Sequence, residues 1–365
     1  MNSSNNKFDC IIVGGGLIGL LSAYFIAKQG RRVALMEQSL LGRESSWAGG
    51  GILSPLYPWR YPDAVTELVN WSRQHWHDLI EQLQQESGID PQSINSGMLI
   101  LDQEEQTEAI DWARRFDISL QTVSADQLKA LEPNLGLSPE QPLWMPDVGQ
   151  VRNPRLINSV HQVARQAGVS ILENHPVDQL LVEQGQVIGV TSRQHALYAP
   201  QVVVAAGAWS AGLLEGVGYH LAVTPVRGQM IQFQTTPGLI KRITLYRGRY
   251  LIPRRDGRVL AGSTIEHVGF DKSTNSQTKD ELIKAAIEIA PGLAECEVVH
   301  HWAGLRPGSP EGVPTIGELS NISGLYVNSG HFRNGVAISL ASCQLLCDLV
   351  TGQPTIINPG KYMPH

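Results

Sequence analysis

Three consecutive glycines interrupt the first apolar run of this chain, FDCIIVGGGLIGLLSAYFIAKQGRRVALMEQ, residues 8–38. An apolar stretch ahead of them, Phe8 to Val13, reads as a buried strand. The stretch after them, Leu17 to Gln29, has helical spacing and stops at Gly30. RRVALMEQ, residues 31–38, reads as a second strand. A β-α-β unit at this position predicts a parallel, doubly wound sheet. Gly14-x-Gly16-x-x-Gly19 then has the dinucleotide spacing. Gly14 permits the tight turn, Gly16 lets a pyrophosphate approach the backbone, and Gly19 lets helix and strand pack closely. The free N–H groups and dipole of the helix start favour an anion there. Glu37 follows Gly19 by 18 residues, at the end of the second strand. That is near the spacing of an acid that receives ribose hydroxyls.

The same run has 18 uncharged residues, 10–27, long enough to raise a membrane or leader reading. Asp9 before it, the missing basic flank and the glycines inside it favour strand, turn and buried helix. The 365 residues are 42% hydrophobic and 17% charged, with a net charge of −6. That suits two domains with ample core, and the acidity with no basic stripe argues against nucleic acid. Cys10, Cys296, Cys343 and Cys347 form no C-x-x-C pair, and no Cys/His group has zinc spacing, so no metal site is expected. Few, scattered thiols fit a reducing cytoplasm.

Farther along, Val65, Leu68, Val69, Trp76, Leu79, Ile80 and Leu83 place an amphipathic helix over 62–87, ended by Gly88. SGMLILD (96–102) reads as a strand. Ser124 with Gln127 forms a capping box, and Asn153-Pro154 opens a helix that Gly168 closes. The pattern then turns β-rich: strands over 202–207 and 224–233, and a hairpin about Arg254-Arg255-Asp256-Gly257. Thr278 with Glu281 predicts a helix start, 324–330 a last strand, and Asn334 to Val350 a last helix. No linker or repeat separates these parts, so interleaved domains are expected. A second glycine cluster, Gly49-Gly50-Gly51 in GRESSWAGGGILSP, follows the ribose acid closely. A backbone pressed against a long, flat cofactor needs such glycines, which favours a flavin over a nicotinamide dinucleotide.

One arginine, Arg306 in HHWAGLRPGSPEGVPTIG (300–317), sits on a stiff Gly/Pro scaffold. Desolvating its charge there calls for an anion, either a structural carboxylate or a ligand. Taken together, the fingerprint region, SSWAGGGILSP, WAGLRPGSPEGVPTIG and GHFRNGVAISLASCQLL resemble the FAD-dependent D-amino-acid oxidase superfamily, and most nearly its glycine oxidases of thiamine biosynthesis. The resemblance spans essentially the whole chain. It implies an α/β fold with an α+β second domain: a Rossmann-like parallel-sheet FAD domain (1–84, 149–220, 306–365) interleaved with an antiparallel-sheet substrate domain (85–148, 221–305). Motif by motif, it implies FAD contacts at Gly14, Gly16, Leu17, Ile18, Gly19, Glu37, Ser45, Ser46, Gly50, Gly51, Ile52 and Val177. His331, Phe332, Arg333, Asn334, Gly335, Val336 and Ala337 complete them, on a helix start aimed at the flavin, where it would stabilise negative charge.

For the substrate, the resemblance assigns Arg306 as a fork on the amino-acid carboxylate and Tyr250 as a further hydroxyl donor. Arg333 is placed as a pocket residue and Ile265 as a wall limiting side-chain size. The implied reaction is hydride transfer from Cα of a small amine (glycine, sarcosine or a small D-amino acid) to the flavin, with no essential acid or base. Oxygen then gives H2O2, and the imine gives ammonia and glyoxylate or another 2-oxo acid, or feeds thiazole formation. No cysteine lies in 307–317, so the FAD is expected to be non-covalent. A soluble homo-oligomer, dimer or tetramer, is implied as well. The competing reading is a D-amino-acid or sarcosine-type dehydrogenase with another electron acceptor. Gly248-Arg249 stands where a histidine and cysteine are common before the tyrosine, which weakens the case for a pocket histidine there and leaves the amine preference open.

Overall fold

The structure is a computed structural model that describes residues 7–193 and 195–364. The leading β-α-β unit is present: strand Cys10–Val13, helix Leu17–Lys28, strand Val33–Met36. Cys10–Val13 pairs in parallel with Val33–Met36 on one side and with Gln201–Val204 on the other. Ser170–Leu172 extends one edge. Leu325–Ser329 and then the antiparallel strand Thr315–Glu318 extend the other, giving six strands. Alternate residues of the central strands enter separate cores. Cys10, Ile12, Val33 and Leu35 pack under the helices Leu17–Lys28, Asp63–Ser87, Asn153–Gln166 and Ser339–Thr351. Ile11, Val13, Ala34 and Met36 pack under the antiparallel sheet of Gln179–Glu183, Gln186–Ser192 and His195–Tyr198. Burial on both faces is why these strands are continuous apolar runs rather than alternating ones.

A second sheet has eight strands. Its long members, Thr224–Gln234 and Glu297–Gly308, run antiparallel, and Arg258–Gly262, Arg249–Pro253 and Ile243–Tyr246 follow in order. Met98–Ile100, Leu143–Met145 and Gln121–Thr122 complete it. The sheet is mixed rather than wholly antiparallel, because Ile243–Tyr246 lies parallel to Met98–Ile100.

Local signals resolve as follows. The capping box holds: the Gln127 N–H donates to Ser124 Oγ and the Ser124 N–H to Gln127 Oε1. The helix Asp63–Ser87 ends at Gly88, and Asn153 opens its helix. The hairpin about 254–257 joins Arg249–Pro253 to Arg258–Gly262. Two expectations are corrected. Thr278 is not a cap: Asn275 accepts its N–H at 2.8 Å and starts the helix Ser276–Ile289, so Thr278 is the third helical residue and its own N–H is the orphan donor that the cap satisfies. The last helix begins at Ser339 rather than Asn334, and residues 331–338 are turns held by bonds such as Ile338 N–H to Asn334 O. Among the described residues no helix is long and apolar enough to cross a membrane, and the uncharged run 10–27 is a buried strand, turn and helix.

Candidate cofactor and substrate site

One cavity of about 730 Å³ lies between the two sheets and takes lining from both. Its floor is the glycine turn. Gly14 has φ +112°, and a Cβ there would collide with the carbonyl of Ala205 on the neighbouring strand. Gly19 packs directly on the Gly14 carbonyl, so its part is helix–strand packing and it does not line the cavity. The fingerprint helix has no side-chain cap at Gly16, and the Leu17 N–H donates to Ser46 Oγ at 2.9 Å. Glu37 also reaches the cavity. Its Oε2 accepts the Gly15 N–H at 2.8 Å, and its Oε1 accepts the Ser39 N–H at 2.9 Å. The carboxylate therefore pins the turn as well as facing the space where a ribose would lie.

Residues 44–52 form the next wall, with Ser45, Ser46, Gly50, Gly51 and Ile52 on the cavity. Two groups from the second sheet hold this loop: Trp302 Nε1 donates to Ala48 O at 3.0 Å, and Arg254 Nη2 to Gly50 O at 2.8 Å. Arg254 is buried and also donates to Gln150 Oε1 and Val151 O. Burial pushes its guanidinium down to about 10. From the sequence Arg254 reads only as a turn residue, and the one hint of more is its place beside a second arginine in a hairpin.

His331 to Val336 also line the cavity, as does Val177. Ala337 is buried in the helical core and does not line the cavity. His331 is buried, shares a 2.7 Å hydrogen bond with Ser342 Oγ, and is pushed down to about 3 by that burial, so it is neutral. Ser342 Oγ in turn donates to Asn328 Oδ1 at 2.7 Å. Asn334 Nδ2 is buried beside the cavity without a partner among the described residues. An orphaned amide donor here asks for an acceptor on a ligand. The side-chain-free glycine turn on the cavity and this orphaned amide fit a bulky, phosphate-bearing cofactor such as FAD.

At the far end the cavity meets Arg306, which emerges from the Glu297–Gly308 strand. Its guanidinium lies flat on Gly228 of the facing strand, where any Cβ would collide with it. Nη2 donates to Ser263 Oγ at 2.7 Å and Nη1 to Thr264 O at 3.1 Å. No acid pairs with it among the described residues. Burial pushes it below the usual arginine range; Tyr250 opposes that shift and Arg333 adds to it. An arginine still holds its proton in such a setting. Tyr250 is buried against Met230, lines the cavity, and is close enough to interact with Arg306. Arg333 lines the cavity too, with no ion-pair partner among the described residues. Ile265 does not reach it: the residue is 48% exposed on the loop after Arg258–Gly262, because its neighbours Thr264 and Glu266 turn inward instead. Sequence reasoning missed Gly228, Ser263 and Thr264. A glycine inside a strand pattern was the available signal, since it marks a close approach.

Residues 9–349 match the family described as FAD dependent oxidoreductase, DAO. The chain belongs to this family. It is an FAD-dependent oxidoreductase. A glycine oxidase of Pseudomonas aeruginosa is 45% identical over 97% of this chain and 98% of its own length. The crystal structure of glycine oxidase from Geobacillus kaustophilus superposes with a TM-score of 0.94 at 28% identity, covering 99% of each chain. A bifunctional ThiO/ThiG protein of Synechocystis is 30% identical over 94% of this chain, which spans 52% of that longer protein.

Proposed function

We propose that this enzyme is a glycine oxidase: glycine, O2 and water are converted to glyoxylate, ammonia and H2O2, and the imine formed on the way serves thiazole assembly in thiamine biosynthesis. The observation that carries this reading is Arg306, an acid-free guanidinium presented to a flavin cavity beside Tyr250 and Arg333. When bound, FAD supplies the two-electron acceptor for the hydride from Cα. The chain's own part is placement. Arg306 forks the carboxylate, and Tyr250 adds a hydroxyl donor, so that Cα faces the cavity. Neutral His331 offers no charge to the substrate amine, in keeping with a reaction that needs no essential base. Sarcosine and small D-amino acids present the same carboxylate and Cα–H.

The two sheets support assigning 1–84, 149–220 and 306–365 to the FAD domain, and 85–148 and 221–305 to the substrate domain. The FAD is held without a covalent bond, since no cysteine lies in 307–317; acid precipitation should leave all flavin in the supernatant. The activity itself is tested by anaerobic addition of glycine, which should bleach the yellow enzyme, and by peroxide release in air. Arg306→Ala should lower kcat/KM by roughly 30- to several-thousand-fold, since removing one partner of a buried charge pair costs on the order of 2–5 kcal/mol. FAD content should be unchanged, and Arg306→Lys should rescue poorly because an ammonium cannot grip both oxygens. Wild-type affinity for glycolate in Arg306→Ala would make this arginine structural.

A further inference from the structure

The strand Thr224–Gln234 lines the cavity with Pro225, Gly228 and Met230. Gly228 and Met230 face the cavity, and the Arg306 guanidinium rests on the first of them. Arg227 and Gln229 point to the reverse face, as alternation along a strand requires. There they meet one carboxylate. Glu266 Oε2 accepts Arg227 Nη2 at 2.6 Å and Nε at 3.1 Å, and Glu266 Oε1 accepts Gln229 Nε2 at 3.0 Å. Glu266 Oε1 also accepts the Thr264 hydroxyl in a very short bond. The backbone repeats the arrangement: Arg227 N–H donates to Glu266 O, and Glu266 N–H to Arg227 O. The Thr264 hydroxyl accepts the Gln229 N–H at 2.9 Å. Residues 263–266 are thus laced to the strand at every other residue. Arg227 and Glu266 expose 8% and 22% of their side chains, so the pair is well shielded from water.

This lacing matters because Ser263 and Thr264 are the shelf on which Arg306 is hung: Ser263 Oγ and Thr264 O accept one hydrogen bond each from its two terminal nitrogens. A flat fork binds a carboxylate in two parallel bonds only if its plane is fixed. Gly228 fixes that plane from one side and the shelf fixes its rotation. We propose that Glu266 is a positioning residue for substrate binding, which acts through Thr264 and Ser263 to hold the Arg306 guanidinium in the orientation that accepts the substrate carboxylate. The inference rests on reading Arg306 as the carboxylate clamp. Glu266 does not line the cavity; Asp271, which also pairs with Arg227 at 2.5 Å, keeps that arginine partnered when Glu266 is changed.

The test uses the flavin-loaded enzyme and glycolate as the probe, its dissociation constant read from the perturbation of the flavin absorbance, with FAD content and melting temperature recorded alongside. Glu266→Gln is expected to weaken glycolate about ten-fold, the size of one lost charge-assisted bond, at unchanged FAD content. In an Arg306→Ala background the same change is expected to have no further effect. If Glu266→Gln binds glycolate like the wild type while Arg306→Ala does not, the positioning inference is overturned and the clamp stands. If Glu266→Gln costs the same in both backgrounds, it acts on the fold and the inference is overturned as well. Wild-type affinity in Arg306→Ala alone overturns the clamp and this inference together. A second pair of variants guards against poor folding of Glu266→Gln. Thr264→Val removes only the hydroxyl and should weaken glycolate about ten-fold, while Thr264→Ser should recover most of the affinity. Equal affinity in Val and Ser variants would overturn the proposal.

Discussion

Gly228 is a residue whose contribution is an empty space. Because the Arg306 guanidinium lies where its side chain would be, Gly228→Ala must push the fork off its plane. The expected result is a loss of glycolate affinity of at least about ten-fold, with FAD stoichiometry intact, read by flavin-difference titration. Glu37 acts on two fronts. Its carboxylate faces the cavity and also satisfies the N–H groups of Gly15 and Ser39. Glu37→Gln can replace only part of that acceptor capacity. It should weaken FAD binding and lower stability by about 1–3 kcal/mol, measured by FAD titration and by urea unfolding. At this scale the cavity lining was readable where a residue stands in a diagnostic motif: Gly14, Gly16 and Glu37 by the fingerprint, Arg306 and Tyr250 by resemblance. It was unreadable where a residue works through a backbone carbonyl, as Thr264 does, or through a missing Cβ outside any motif, as Gly228 does. Ile265 was misplaced for a related reason. Motif similarity aligns positions, while the inward turn of Thr264 and Glu266 on either side leaves Ile265 facing solvent.

Among the elements, the hairpin around residues 254–257 shows how a turn signal can hide a structural bolt. The turn itself follows from Asp256-Gly257, but the arginine ahead of it reaches across to the loop at Gly50 and Val151. Arg254→Ala would leave three acceptors, two of them buried, without their donor. The loss should be on the order of 3 kcal/mol, and FAD should dissociate faster because the Gly50 wall is freed; stopped-flow flavin fluorescence after dilution reports this. Helix starts were the other uncertain elements. Ser124 was legible because both halves of its box are in the sequence. Thr278 matched the same pattern, yet Asn275 took its N–H, and the competition between two nearby caps is settled only by where the chain enters the helix. The segment after His331 was read as helix from its apolar spacing, but its first turns carry the cavity wall and become helical only at Ser339.

The whole molecule inherits an acid sensitivity from the burial of His331. His331 titrates at about 3 when folded and near about 6.5 when unfolded. A depressed histidine means that the unfolded chain takes up a proton that the folded one refuses. Stability from this site is complete above about pH 6.5 and falls as the pH drops towards 3, by about 2 kcal/mol at pH 5. Urea unfolding at pH 7.5 and pH 5 should show that loss in the wild type and a smaller one in His331→Gln. The doubly wound sheet was legible because strands buried on both faces, with glycines between strand and helix, leave few alternatives. The pairing order was less so, since the central strand Cys10–Val13 takes its second neighbour from residues 201–204, a partner no local pattern names.

That pairing has a consequence for how the enzyme acquires its flavin in a cell. The cavity walls come from residues as far apart in sequence as Val13 and Val336. A ribosome must therefore synthesise everything between them before the cavity lining is whole, although the fingerprint emerges long before Val336. Contacts this distant in sequence also close slowly. Stalled nascent chains that expose only residues up to 300 should fail to retain FAD, and chains released beyond residue 351 should capture it. Loading is then a post-translational event, and under scarce riboflavin the cell would accumulate a complete apoprotein rather than arrested fragments.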